Sequence, residues 1–140
     1  MSVRENFTDY LHRRHSISKL VVHLIFVTKY RRKLLNSTMI SQIQDAFLSA
    51  AERLEIDILE MDGEADHVHV LVAYPPKLAV SVLVNNLKSI SSRYVRRLNA
   101  QLPRQSKSGA LWSRSYFACS TGGVTIETLK NYVRAQQTPD

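Results

Sequence analysis

Cysteine is nearly absent: Cys119 is the only one among 140 residues, so no disulfide can form within the chain. That agrees with a reducing compartment. No apolar run approaches the ~20 residues that cross a bilayer. The polar start, MSVRENFTDYLHRRH, also lacks the apolar segment of a secretory signal. The expectation is a cytoplasmic protein without a membrane span. Acidic residues are scarce too, 12 against 19 Lys plus Arg, which leaves a formal charge of +7. An excess of that sign favours polyanions, because each neutralised phosphate releases counterions and the summed field speeds encounter.

What is present suffices for one domain over residues 1–140, since 44% of them are hydrophobic. The cations are clustered in HRRH (12–15), KYRRK (29–33), RYVRR (93–97) and WSRSY (112–116). KYRRK and RYVRR hold a tyrosine among their charges, and a cation beside a stacking ring suits single-stranded nucleic acid. A basic surface serving solubility alone has the same composition.

Periodicity divides the chain into seven elements. KLVVHLIFVTKY, from Lys19, is dense in β-branched and aromatic residues and reads as a strand, its apolar run compatible with burial on both faces. KYRRK follows as a loop. Met39, Ile40, Ile43, Phe47, Ala50, Ala51 and Leu54 then recur at helical spacing behind Ser37, the expected N-cap. EIDILEMD (55–62) reads as a short strand, Gly63 as the turn, and DHVHVLVAY (66–74) as a hairpin partner stopped by Pro75 and Pro76.

A second helix carries Val80, Leu83, Val84, Leu87, Tyr94, Val95 and Leu98 on one stripe, with Lys88, Arg96 and Arg97 largely off it. After a polar loop (99–109), ALWSRSYFACS (110–120) reads as the last strand. Two of the chain's four glycines stand together at 122–123, a natural hinge (120–124) before a final helix over 125–137. The first six elements spell βαββαβ, which predicts an α+β ferredoxin-like or RRM-like antiparallel sheet with both helices on one face. In such a fold the opposite face is expected to be open, and residues 1–19 form a basic arm outside it.

On the hairpin's second strand, alternation sends His67 and His69 to one face and Val68, Val70 and Val72 to the other. The valines belong under the helices, so both imidazoles should lie on the open face, near enough to converge on one ion. Histidines are also common on half-exposed strands without any metal. In the final helix Tyr132 and Gln136 are four residues apart, hence neighbours on one helix face. Plain amphipathic packing accounts for that pair equally well.

Four blocks taken together, HLIFVTKYRRKLL (23–35), DHVHVLV (66–72), LWSRSYF (111–117) and LKNYVRAQQ (129–137), resemble the small single-strand tyrosine transposases of the HUH-nuclease superfamily, the TnpA type. The resemblance runs from about Leu20 to Gln137. It implies that His67 and His69 are metal ligands, Gln136 the third ligand and Tyr132 the nucleophile. It also implies a homodimer whose final helix can complete the partner's site, and a substrate of single-stranded DNA with imperfect hairpins.

The chemistry suits these residue types. A divalent ion on three neutral ligands keeps its whole charge for the phosphate, and mixed nitrogen and oxygen ligation suits Mn2+ and permits Mg2+. A tyrosine attacking phosphorus would give a 5′-phosphotyrosine and a free 3′ hydroxyl, so rejoining needs no ATP. Candidate DNA contacts are Arg14, Lys29, Tyr30, Arg31, Lys33, Lys88, Arg93 and Arg114. His12 and His15 are DNA-facing or solvated, and His23, in the first strand, is the weaker candidate for a place near the metal. The alternative is a non-catalytic hairpin-binding module, a domesticated relative or repressor, which needs neither the histidine pair nor the late tyrosine.

Overall fold

Strand β1 (Leu20–Thr28) is followed by a 3-10 turn (Lys29–Arg31), helix α1 (Ser37–Leu54), strands β2 (Asp57–Glu64) and β3 (His67–Tyr74), helix α2 (Val80–Leu98) and strand β4 (Trp112–Ser120). The structure, a computed structural model, describes residues 19–100, 102 and 111–120. The four strands form one sheet in the order β2-β3-β1-β4, and each neighbouring pair is antiparallel. That is the ferredoxin-like βαββαβ arrangement the sequence predicts. The expected hinge beyond Ser120, the helix over 125–137 and the arm before Lys19 lie outside the described residues.

Period-two alternation places Val22, Leu24 and Phe26 of β1 and Val68, Val70 and Val72 of β3 on the helix side of the sheet. There they join one core with Ile43 and Phe47 of α1 and Leu83, Leu87 and Val95 of α2. Phe26 sits at the centre, its ring edge-on to Phe47 at 5.9 Å and tilted against Trp112 at 5.9 Å. The buried Trp112 indole N–H donates to Ser91 Oγ at 2.9 Å, so a polar atom on the buried stripe of α2 is satisfied across the core.

Several local expectations are corrected. The N-cap of α1 is Asn36 rather than Ser37: its side-chain Oδ1 accepts the Met39 N–H at 2.9 Å, and Ser37 is the first helical residue. Both residues can cap, and the extended backbone at Asn36 (φ −120°) decides. Asn36→Ala is expected to lower stability by about 1 kcal/mol, read from the urea midpoint.

Strand β2 starts two residues later than expected, because Glu55 ends α1 in the left-handed region (φ 59°). Gly63 is not the turn but a strand residue opposite Val68, and the chain reverses at Ala65 and Asp66. A Cβ at Gly63 would stand 3.0 Å from Val68 Cγ1 and 3.2 Å from His67 O, so glycine is there for close approach. Leu98, expected on the buried stripe, is 49% exposed at the last turn of α2.

The face away from the helices is closed at its centre rather than open throughout, while Phe117 and Cys119 on it are half-buried and Asp62 and Glu64 exposed. His23, Ile25, Leu59, His69, Leu71 and Ala73 on that side are all buried. Leu59, Leu71 and Ala73 cluster with Val21, an apolar area too large to leave to water without cost. His67, at the end of the strand, keeps 15% of its side chain exposed. The histidine pair therefore runs from a buried centre to an accessible margin.

Candidate functional site: a histidine pair with a basic rim

The central position of β3 fixes the pair. His67 and His69 are paired across the sheet with Val27 and Ile25 of β1, and their rings meet at 4.8 Å between centroids with planes 81° apart. His67 Nε2 and His69 Nε2 face each other at 3.1 Å. At that distance one ring nitrogen either donates its proton to the other or shares a cation with it.

Two neutral imidazole nitrogens facing each other are a donor pair that a divalent cation could take up. Among the described residues no third His, Cys, Asp or Glu completes a metal cluster. The expected third ligand, Gln136, and the expected nucleophile, Tyr132, lie outside the described residues.

Around the pair stand His23, the weaker candidate of the sequence for a place near the metal, and Asp66, which the sequence does not single out. His23 stacks on His69, with centroids 5.7 Å apart and planes within 15°. Asp66 accepts a hydrogen bond from His67 Nδ1 at 2.7 Å, and its second oxygen lies 3.7 Å from Arg31 Nη2. The signal for Asp66 was its place directly before His67 in DHVH. Whether its carboxylate turned to the ring or to solvent depended on the turn at Ala65 and Asp66, which the sequence reading had placed at Gly63.

The basic turn after β1 is tied to the same place. Thr28 N–H donates to Asp66 O at 2.9 Å, Lys29 N–H to Leu111 O at 2.9 Å, and Leu35 N–H to Ala65 O at 2.9 Å. Tyr30 and Arg31 are both left-handed, with φ of 58° and 53°, a conformation that costs a non-glycine residue roughly 1–2 kcal/mol. The surrounding bonds hold it, and Tyr30 stands 61% exposed with Lys29 Nζ 5.5 Å and Arg32 Cζ 6.0 Å from its ring. An exposed aromatic flanked by cations has the form of a surface on which a base can stack, and it adjoins Arg31 and hence the His67 end of the pair. Lys33 is exposed in the same segment.

The other candidate DNA contacts are scattered. Lys88 Nζ donates to the carbonyls of Ser113, Arg114 and Ser115 at 2.6, 3.0 and 3.2 Å, which commits its three protons to holding β4 against α2. Arg93 is exposed, donates to Ser89 Oγ at 3.0 Å, and lines a cavity of about 530 Å³ with Asp45, Tyr94 and Arg97 in the helix layer. That layer is across the sheet from the histidines. Arg114 is exposed near the start of β4. Arg14, His12 and His15 fall outside the described residues.

Fold and site together define a ferredoxin-like α+β domain with a histidine-pair centre and a basic rim. Residues 16–136 match the family described as "Transposase IS200 like", and the chain belongs to that family. It is 28% identical over 120 residues to the ISDra2 transposase TnpA of Deinococcus radiodurans, covering 86% of each chain. The transposase of insertion sequence element IS200 from Salmonella typhimurium is 28% identical over 118 residues, 84% of this chain and 77% of that one. A crystal structure of a Deinococcus radiodurans transposase superposes with a TM-score of 0.72 at 26% identity, over 86% of this chain and 92% of that one. The REP-associated tyrosine transposase, solved bound to a REP hairpin, shares the fold with a TM-score of 0.56 at 12% identity, over 86% and 69%.

Membership of that family makes the chain a transposase, a DNA-binding enzyme that cleaves and joins DNA strands. No helix among the described residues is long and apolar enough to cross a membrane.

Proposed function

We propose that this transposase is a metal-dependent tyrosine enzyme of the HUH type that acts on single-stranded DNA carrying imperfect hairpins. The observation that carries the reading is the 3.1 Å approach of His67 Nε2 to His69 Nε2. His67, His69 and Gln136 would hold the ion. A bound Mg2+ or Mn2+ supplies polarisation of the scissile phosphate and relief of its charge.

Tyr132 supplies the nucleophile. A phenol has an unperturbed pKa of about 10, so it must lose its proton as it attacks. Its Oη forms a bond to phosphorus while the bond to the 3′ oxygen breaks and that oxygen takes up a proton. The 5′-phosphotyrosine conserves the phosphodiester energy, and attack on it by a different 3′ hydroxyl restores Tyr132 and joins new strands without ATP. Excision needs two cuts and each site has one nucleophile, so two protomers, each supplying a Tyr132, would serve, with the final helix docking on its own or its partner's histidines. The exposed Tyr30 with Lys29, Arg31 and Lys33 forms a rim on which unpaired bases and phosphates can rest.

The test is an adduct assay. End-labelled single strands bearing an element-end hairpin, incubated with the chain and Mn2+, should give a protein–DNA species that survives denaturation, and the same sequence as duplex should give little. Tyr132→Phe should give none. Hairpin binding without any adduct on a cognate end would instead support a non-catalytic binding module, and an adduct from Tyr132→Phe would put the nucleophile elsewhere.

A further inference from the structure

We propose that Asp66 is a positioning residue for the histidine pair, an inference that rests on reading that pair as a metal site. A neutral imidazole carries its proton on one nitrogen only. The carboxylate 2.7 Å from His67 Nδ1 accepts that proton's hydrogen bond, so the Nε2 lone pair is left facing His69. The other tautomer would place two acceptors, carboxylate and bare Nδ1, against each other at that distance. Asp66 thus selects the tautomer and fixes the ring's rotation.

Three features make the carboxylate a dependable anchor. Its main-chain carbonyl accepts both the amide and the hydroxyl of Thr28, at 2.9 and 3.2 Å, so the turn cannot swing away from β1. Arg31 at 3.7 Å draws the second carboxylate oxygen towards the basic rim. Only 18% of the Asp66 side chain is exposed, which limits competition from water. His69 is buried beside the parallel ring of His23.

The experiment is Mn2+ titration of the full chain, with free Mn2+ followed by electron paramagnetic resonance, on wild type, His67→Ala, Asp66→Ala and Asp66→Asn. Asp66→Ala should weaken binding by about 10–100-fold, the effect expected of a partner behind a metal-bound histidine. Asp66→Asn offers an acceptor oxygen in the same place and should recover part of that loss. Ring nitrogen shifts of His67 without metal should report the Nδ1–H tautomer in wild type and lose that preference in Asp66→Ala. Urea unfolding checks that each variant folds, and Asp66→Ser takes the place of Asp66→Ala if the latter does not.

Equal Mn2+ binding by wild type and Asp66→Ala, or no recovery in Asp66→Asn, would overturn the positioning role and leave the metal reading standing, provided His67→Ala binds weakly. Undiminished binding by His67→Ala would overturn the metal reading itself, and the role of Asp66 falls with it.

Discussion

A His67→Ala chain should cleave single-stranded DNA at least about 10³-fold more slowly than wild type while losing only about 1 kcal/mol of stability. The activity figure follows from losing several kcal/mol of charge stabilisation at the phosphate, each 1.36 kcal/mol being tenfold in rate. The stability cost should stay near 1 kcal/mol, because His67 is at the end of β3 with part of its side chain exposed, and what it gives the fold is a hydrogen bond to Asp66 and the contact with the His69 ring.

His69→Ala should lose as much activity and in addition about 2–3 kcal/mol of stability. Its ring is buried and packed against His23, so a cavity remains where it stood. Initial cleavage rates on a hairpin strand, set beside urea midpoints, separate the two effects. Cleavage by His67→Ala within tenfold of wild type would place the chemistry away from this pair.

Phe26→Ala should cost about 3–5 kcal/mol, a large share of the 5–15 kcal/mol available to a domain of this size. Phe26 belongs to β1, which lies between β3 and β4, and its ring touches Phe47 of α1 and Trp112 of β4. Removing it opens a hole bounded by two rings that cannot both move in to fill it. Lys88 Nζ also lies 6.0 Å from the Phe26 ring while holding three β4 carbonyls, so the start of β4 should loosen with the core. Equilibrium urea unfolding by far-ultraviolet circular dichroism gives the number. A loss below about 1.5 kcal/mol would show that the neighbouring side chains close the gap and that Phe26 is not the keystone of the core.

Much of this was legible residue by residue. Alternation in HVHVLVAY separated the histidines from the valines, and the structure puts Val68, Val70 and Val72 in the helix-side core as that pattern requires. Helical spacing found both helices, and the paired prolines marked the end of β3. Errors arose where two local signals compete at similar energy. Asn36 and Ser37 can each cap α1, and the backbone chose Asn36. Gly63 reads as a turn by composition, yet the sheet uses its missing side chain to bring Val68 and the His67 carbonyl close. Lys88 reads as a DNA-contact candidate off the buried stripe, yet it donates to the carbonyls of β4, which only the packing of α2 against that strand could reveal.

The sequence by itself determined the order of the elements, the split of β3 into a core side and a histidine side, and the family motifs. Each of these depends on spacing along one strand or helix, where the backbone repeat fixes which side chains share a face. Only the tertiary structure decided that the histidine side is buried at its centre and accessible at one end. It also decided that the two ring nitrogens meet at 3.1 Å and that Asp66 and Arg31 stand behind the outer ring. Those facts depend on how β1, the basic turn and the β2–β3 reversal are clamped together. Contacts between segments far apart in the chain leave no period in the sequence from which they could be read.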